Sequence, residues 1–155
     1  MDQHNAGITI GGFIDRMDEK EGAIRIIDYK TGGGKPEFKS LEDLFSSPKP
    51  HQFDAVRQSL VYSWIISQAE NNRSVQPALF FVRNIMKGAY DPRLKDKEKG
   101  YLTDFTSYEE PFQQELVRVV SEILDKDTRF TQTEDEDNCR YCAFREVCKR
   151  KVKEV

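Results

Sequence analysis

Two stretches near the start of the chain have the alternating or densely apolar pattern that predicts β-strands. Residues 8–15 and 23–30 are the predicted strands, and a charged turn that ends in glycine separates them. In the second strand the even-numbered and odd-numbered residues lie on opposite faces, and both faces carry apolar side chains. We therefore expect this strand to be covered on both sides.

The rest of the chain divides into helical and extended segments. A loop rich in Gly, Pro, Lys and Ser over residues 31–50 contains one short helical turn at Leu-Glu-Asp-Leu-Phe. Apolar residues at helical spacing predict a helix over residues 51–69 and another over residues 109–126. Composition predicts a buried strand over residues 76–83, and weak alternation predicts an edge strand over residues 101–106. The predicted core stripes are Phe53, Val56, Leu60 and Trp64 on the first helix and Phe112, Leu116, Val119, Val120 and Ile123 on the second.

Composition and charge narrow the class of protein. Leu, Ile, Val and Phe account for 38 of the 155 residues, above the roughly 20% below which disorder is expected. A net charge of −3 excludes a polycation that coats nucleic acid. No apolar run approaches the ~18 residues of a membrane span, and the first residues lack a signal segment. We therefore expect a cytoplasmic, single-domain protein without a membrane partner.

Two aspartates fall at the predicted hairpin. A two-residue turn at Glu21 and Gly22 would pair residues whose numbers add up to 43. Asp15 would then lie directly opposite Asp28, where like charges repel. Lys30, on the face of Asp28, supplies one compensating charge, and a divalent ion held by oxygen ligands would supply the rest. The alternative is that the aspartates only mark strand ends and that Lys30 is their solvated partner.

Three cysteines lie within ten residues, at Cys139, Cys142 and Cys148. An odd number of cysteines at C-x2-C-x5-C spacing is a poor disulfide framework and is typical of a metal or cluster site. Such sites normally take four ligands. The alternatives are a zinc site completed by His4 or His51, or plain buried thiols.

A glycine run follows the second predicted strand. It lacks the G-x4-G-K-[ST] spacing of a phosphate-binding loop, and Pro36 occupies the Ser/Thr position. We expect a mobile loop at the mouth of the site. With two histidines and no nucleophile motif beside them, the sequence does not favour covalent hydrolysis.

Four motifs occur in one order along the chain: G-x-x-D (Gly12 to Asp15), D-Y-K-T-G (Asp28 to Gly32), Q-x-x-x-Y (Gln58 to Tyr62) and the cysteine motif. In this combination the sequence resembles the RecB-like branch of the PD-(D/E)xK nuclease superfamily. AddB-type helicase–nuclease subunits and CRISPR-associated RecB-like exonucleases with an iron–sulfur cluster are particularly similar. The resemblance implies an α/β fold with a restriction-endonuclease-like core, a central mixed β-sheet flanked by helices, and a cysteine-bearing C-terminal tail.

The resemblance also implies a metal site. Asp15 and Asp28, helped by the backbone carbonyl of Tyr29, would bind Mg²⁺ or Mn²⁺. Lys30 would position or activate the attacking water and stabilise charge on the phosphate in the transition state.

Further roles follow from the other two motifs. Gln58 and Tyr62 would face the active site and contact DNA or order the metal ligands. Their spacing places them away from the apolar stripe of the first helix; the alternative is an ordinary half-buried helix face. Cys139, Cys142 and Cys148 would hold three corners of a [4Fe–4S] cluster in the intact protein.

Two ligands of the family pattern are missing. The family usually has a metal-binding histidine on a helix upstream of the G-x-x-D strand and a fourth cluster cysteine upstream of the core. Only 14 residues precede Asp15, His4 is too close to that strand, and His51 opens the next helix. We therefore expect the C-terminal portion of a longer protein, with the cluster absent or unstable in this chain. The expected parts are a nuclease core lacking its first helix (residues 1–126) and a cysteine cassette packed on it (residues 127–155).

The predicted function is a Mg²⁺- or Mn²⁺-dependent DNA nuclease, exonucleolytic in type, from a helicase–nuclease of DNA repair or recombination. The predicted partners are DNA, a helicase region in the same parent chain and a helicase–nuclease partner subunit. The shortened chain alone need not be active. Two alternatives stay open: a non-catalytic DNA-binding or scaffolding module with the same fold, and a small zinc-binding interaction domain in which only the cysteines matter.

Overall fold

The computed structural model describes residues 7–46, 50–70, 73–86, 88, 90–129, 131–140 and 142–150, the side chains of residues 50 and 51 excepted. Its helices and strands form two small sheets with helices packed around them. In chain order the elements are β1 (Arg16–Lys20), β2 (Ala23–Lys30), β3 (Glu37–Phe38), α1 (Leu41–Ser46), a 3-10 helix (Pro50–Phe53), α2 (Asp54–Ala69), β4 (Val75–Phe81), α3 (Val82–Ile85), β5 (Lys95–Asp96), β6 (Gly100–Tyr101), α4 (Thr106–Leu124) and a second 3-10 helix (Glu136–Cys139).

The first sheet has the strand order β1-β2-β4. β1 and β2 are antiparallel, and in all five pairs the residue numbers add up to 43, as for Arg16 opposite Ile27. Glu21 and Gly22 form the turn, with φ of 54° and 82°, the left-handed pair that a type I′ turn requires. The predicted register is therefore confirmed. β4 lies parallel to β2 on its other side, which makes the sheet mixed.

The first predicted strand is wrong in its position. Residues 8–14 lie outside any strand, and β1 begins at Arg16, directly after Asp15. The hairpin register would pair residues 8–12 with residues 31–35. Those residues form the glycine-rich loop, which offers no strand as a partner. Ile8 and Phe13 are accordingly exposed.

Helix α2 covers one face of the first sheet. It begins after a 3-10 turn rather than at residue 51, and it ends at residue 69 as predicted. Val56 and Leu60 are buried in one core cluster with Ile24 of β2. The other face of the sheet borders an open groove of about 690 Å³ that Arg25 lines. In the described part of the chain the second face of β2 is therefore only partly covered, contrary to the prediction.

The second sheet has the order β3-β5-β6 and is also mixed. The predicted edge strand over residues 101–106 is wrong beyond Tyr101, because Leu102 and Phe105 turn into the core. The backbone N–H of Phe105 donates to the carbonyl of Val75 at 2.8 Å. α4 then starts three residues earlier than predicted, where the Asp104 carboxylate accepts a hydrogen bond from the first backbone N–H of the helix.

The end of β4 and the burial of residues along α4 also differ from the prediction. β4 ends at Phe81, and residues 82 and 83 belong to the helical turn α3. On α4, Phe112 is buried and Leu116 packs on the core, but Ile123 is exposed because the helix extends past the core. The predicted helical turn in the long loop is confirmed as α1, which buries Leu44.

Among the described residues no helix is both long enough and apolar enough to cross a membrane.

Candidate active site

The carboxyl group of Asp28 lies inside the protein, near the end of β2. The residue is 3% exposed, and it pairs with Leu79 of the parallel strand β4. The ammonium Nζ of Lys30 lies 2.7 Å from Oδ2 of Asp28. Burial raises the pKa of the Asp28 carboxyl; the Lys30 charge opposes that rise, and the negative charge of Asp15 adds to it.

Asp15 stands directly before β1, beside the same end of the sheet. Its Oδ2 accepts a hydrogen bond from the backbone N–H of Tyr29 at 2.9 Å. Extending the hairpin register by one residue places Asp15 opposite Asp28. The structure therefore brings the two predicted carboxylates together. The Tyr29 main chain is also at the site, through its N–H; the ligand role of its carbonyl stays a prediction.

A line of polar side chains runs from β2 to α2. Lys30 Nζ donates a hydrogen bond to Gln58 Oε1 at 2.7 Å, and Gln58 Nε2 donates to the Tyr62 hydroxyl at 2.9 Å. Because Gln58 accepts with one end of its amide and donates with the other, its orientation is fixed by both partners. The line holds the lysine ammonium between a carboxylate and an amide oxygen.

The four-residue spacing of Gln58 and Tyr62 puts them one above the other on α2. Their face of the helix is turned toward β2, not toward solvent, since Tyr62 is only 7% exposed. α2 is thus buried along two stripes, the predicted apolar one and this polar one. The structure brings both residues to the Asp28 site, as predicted, while their chemical roles stay predictions.

Gly12, the first residue of the G-x-x-D motif, packs directly on Tyr62. A Cβ atom at this position would lie 2.6 Å from the Tyr62 hydroxyl oxygen and 2.7 Å from Cε1. Only glycine leaves room for the tyrosine ring there. The motif glycine therefore closes the line of polar side chains at the end away from Asp28.

The glycine-rich loop after β2 is anchored at Gly34. A Cβ atom there would lie 2.4 Å from Cε1 of Phe81, and the Gly34 carbonyl accepts a hydrogen bond from Asn84 Nδ2 at 2.6 Å. The loop lies at the mouth of the site as predicted, but at Gly34 it is tied to β4 and α3. Asn84 carried no sequence signal for this contact, because it lies just beyond a segment predicted as strand.

The oxygens around Asp28 suit a hard divalent cation. Oδ2 of Asp28 is buried and lies 2.7 Å from the Lys30 ammonium, while no backbone N–H or hydroxyl group of the described residues donates to it. Mg²⁺ is usually held by one or two carboxylates and keeps several water ligands. Asp15 and Asp28 supply two carboxylates, and no cluster of three or more His, Cys, Asp or Glu ligands occurs within the described residues. The site therefore fits Mg²⁺ or Mn²⁺ with most of its water retained.

The three cysteines are free thiols in the described C-terminal segment and do not form a metal-binding group there. Cys142 donates its backbone N–H to the carbonyl of Cys139 at 3.2 Å, so these two share one turn. Cys139 is buried, and Cys142 and Cys148 are partly exposed. His4 lies outside the described residues, as does the side chain of His51. The predictions of a cluster and of a zinc site both stay predictions.

One end of the mixed sheet carries two aspartates and a lysine, and the helix that carries Gln58 and Tyr62 covers this sheet. These features define a class of protein: a restriction-endonuclease-like α/β domain with a carboxylate–lysine site. The comparison with known families agrees. Residues 2–149 match the model of the PD-(D/E)XK nuclease superfamily, and the chain belongs to this superfamily as a nuclease domain. No curated protein and no solved structure matched the chain.

Proposed function

We propose that this domain is a Mg²⁺- or Mn²⁺-dependent deoxyribonuclease that degrades DNA from an end. The observation that carries the proposal is the buried Asp28 carboxylate, which lies beside Asp15, has the Lys30 ammonium 2.7 Å from its Oδ2, and receives no backbone N–H or hydroxyl donor at that oxygen from the described residues. A buried charge without full compensation is costly. A divalent cation shared with Asp15 is the partner that would compensate for it.

The residues of the site divide the work of hydrolysis. Asp15 and Asp28 would hold the cation, which when bound polarises a phosphate oxygen and acidifies water. In phosphodiester hydrolysis the water oxygen bonds to phosphorus and the water gives up a proton, while the bond to the leaving sugar oxygen breaks and that oxygen takes up a proton. Lys30 holds its positive charge beside Asp28 and stabilises the negative charge that develops on the phosphate.

Gln58 and Tyr62 act through Lys30. The Gln58 amide fixes the position of the ammonium, and the Tyr62 hydroxyl fixes the amide. Fixed donors lower the activation free energy because they do not have to reorganise during the reaction. We therefore propose positioning roles for both residues, with Tyr62 one step further from the phosphate.

We further propose that the parent protein is a RecB-like helicase–nuclease of DNA repair or recombination. Its partners would be DNA, a helicase region of the same chain and a second helicase–nuclease subunit. The support is the order of the four motifs, including the cysteine motif that holds a [4Fe–4S] cluster in the families it resembles. Cys139, Cys142 and Cys148 supply three thiolates, so such a cluster needs a fourth ligand from elsewhere.

The direct test is digestion of end-labelled single- and double-stranded DNA with Mn²⁺. We expect the label to be released from the end, and Lys30→Ala to lower the rate at least about 100-fold. Lys39→Ala removes an exposed lysine instead and should leave the rate unchanged. Digestion that survives Lys30→Ala would show that this site does not carry the activity.

A chain that cuts nothing would be compared with one extended upstream. If the extended chain is also inactive but both bind DNA, the domain is a DNA-binding module with the nuclease fold. Metal analysis separates the remaining alternative, because zinc held by the cysteines as the sole metal would favour an interaction domain.

A further inference from the structure

A cavity of about 380 Å³ opens beside the Asp28 site, between the glycine-rich loop and the start of α2. Lys30 and Gln58 are among the residues that line it. Gly33, Gly34 and Lys35 form the wall on the loop side. The cavity is therefore next to Lys30, the residue that we propose to stabilise the phosphate at which the DNA is cut.

We infer that this cavity binds one unpaired nucleotide of the DNA strand, next to the phosphate on which Lys30 acts. The inference rests on the proposed function. It concerns a part of the substrate to which the proposed function assigns no binding residue. The volume lies at the lower end of the range for small-ligand pockets, about 300–1,000 Å³. It suits a single nucleotide and not a base-paired segment.

The lining of the cavity is mixed in the way that a nucleotide requires. Ala55, Val56 and Phe81 offer apolar surface to a base or sugar. Lys35 offers positive charge to a phosphate. Its side chain is 81% exposed, and its ion pair with Glu37 is long, at 3.8 Å. The one acidic residue of the lining, Asp54, is paired with Arg57, so its charge is compensated.

The loop wall is open at one glycine and fixed at the next. A Cβ atom at Gly33 meets nothing within 4 Å, whereas one at Gly34 would overlap Phe81. Gly34 is also tied to Asn84 through its carbonyl. The wall is therefore anchored at Gly34, and a side chain added at Gly33, which lines the cavity, would meet open space.

The test fills that space. Gly33→Leu adds a side chain at the open position of the wall, and Gly32→Leu adds the same side chain at a position that is equally uncrowded but does not line the cavity. The probe is a short single-stranded, fluorescein-labelled oligothymidylate, whose dissociation constant is measured by anisotropy in EDTA so that no cleavage occurs. We expect Gly33→Leu to raise Kd about tenfold, Gly32→Leu to leave it within about twofold of wild type, and thermal melting to be unchanged in both.

Lys35 gives a second, independent readout. Lys35→Ala should lower by about 0.7 the slope of log Kd against log salt concentration, as expected for one lost phosphate contact on a single strand. Lys39→Ala should leave the slope unchanged. Equal binding by Gly33→Leu and wild type, equal weakening by both leucine variants, or no binding of the oligonucleotide by the wild type would overturn the inference.

Cleavage separates this inference from the proposed function. If the binding pattern is as expected but Mg²⁺ and Mn²⁺ support no hydrolysis by the wild type, the nucleotide site stands and the nuclease proposal fails. If the wild type cuts DNA with Mn²⁺ and Gly33→Leu binds and cuts as well as it does, the nuclease proposal stands and the nucleotide site is wrong.

Discussion

Among the residues that the structure describes, two aspartates are buried, Asp28 at 3% exposure and Asp96 at 2%, and their surroundings differ. Asp96 lies in β5, where Oδ1 accepts hydrogen bonds from the backbone N–H groups of Glu98 and Lys99 at 2.8 and 3.1 Å. Its Oδ2 accepts from the Tyr108 hydroxyl at 2.7 Å. Both oxygens of Asp96 are therefore fully used within the protein.

Asp28 is as deeply buried, but no backbone N–H or hydroxyl group of the described residues donates a hydrogen bond to its Oδ2. Its compensation comes from the Lys30 ammonium, and burial leaves its pKa raised. A buried carboxylate held by backbone and hydroxyl donors stabilises the fold, whereas one that depends on a nearby ammonium is a candidate for chemistry. The contrast between them, not burial alone, identifies the site.

The first prediction, with the largest change in rate, is that DNA cleavage requires the charge of Asp28 and not that of Asp96. Asp28→Asn keeps the shape of the side chain but removes its charge, so we expect the rate of DNA cleavage to fall at least about 1,000-fold. Because the buried charge is gone, the variant should unfold at the same urea concentration as wild type or a higher one. Asp96→Asn is the matched control and should keep most of the activity.

Equal losses of activity in the two variants would remove the distinction between a structural and a functional aspartate. So would a large loss of stability in Asp28→Asn, because the carboxylate would then hold the fold together. Circular dichroism and urea titration on the same preparations distinguish these results from a failure to fold.

The second prediction concerns the stability that Asp96 provides. Asp96→Ala leaves the Tyr108 hydroxyl and two backbone N–H groups without their acceptor. We expect the free energy of unfolding to fall by about 2–3 kcal/mol. Urea denaturation followed by circular dichroism measures it, and a loss below about 1 kcal/mol would mean that water replaces the carboxylate at little cost.

The two aspartates also show what the sequence could predict. Asp28 was identified because its signals are local: an apolar alternating strand, a two-residue turn and a lysine two positions on. The same signals predicted β2 with both its bounds and the hairpin register. β1 was misplaced because its extent depends on a partner, and the register meets a glycine-rich loop beyond Asp15.

Asp96 could not be predicted, because it lies in a run of charged residues that is typical of a solvated loop. Its burial depends on Tyr108, which approaches from a helix that starts ten residues later. The contact of Gly34 with Asn84 is similar, since the two residues are 50 positions apart. Gln58 and Tyr62 were placed correctly by their helical spacing, but their line of hydrogen bonds to Lys30 depends on how α2 packs on the sheet.

The third prediction concerns the contact between Gly12 and Tyr62 in the Asp28 site. Gly12→Ala places a Cβ atom 2.6 Å from the Tyr62 hydroxyl oxygen, so the ring must move and the line through Gln58 to Lys30 must shift. We expect kcat to fall about tenfold with KM little changed. Gly11→Ala is the control, because a Cβ atom there meets nothing within 4 Å. If both variants keep full activity, Tyr62 does not position Lys30.

The smallest expected effect concerns the Asp96 side and appears only at alkaline pH. Burial, together with the hydrogen bond to Asp96, raises the pKa of the Tyr108 hydroxyl above its ordinary value of 10. In the unfolded chain the hydroxyl ionises from about pH 10, while in the folded protein it keeps its proton. The contribution of the Tyr108 hydroxyl to the free energy of unfolding is therefore fully present below about pH 10 and is lost as the pH rises further.

Between pH 9 and pH 11 we expect wild type to lose about 1 kcal/mol more stability than Tyr108→Phe, which has no proton to release. The measurement is urea denaturation of both proteins across this range. The difference between the two curves isolates Tyr108 from the lysines that also titrate there, including Lys99, whose Nζ lies 5.0 Å from the ring centre. Parallel curves would mean that the hydroxyl ionises equally well in the folded state, and that the Asp96 site is open to water where the structure shows it closed.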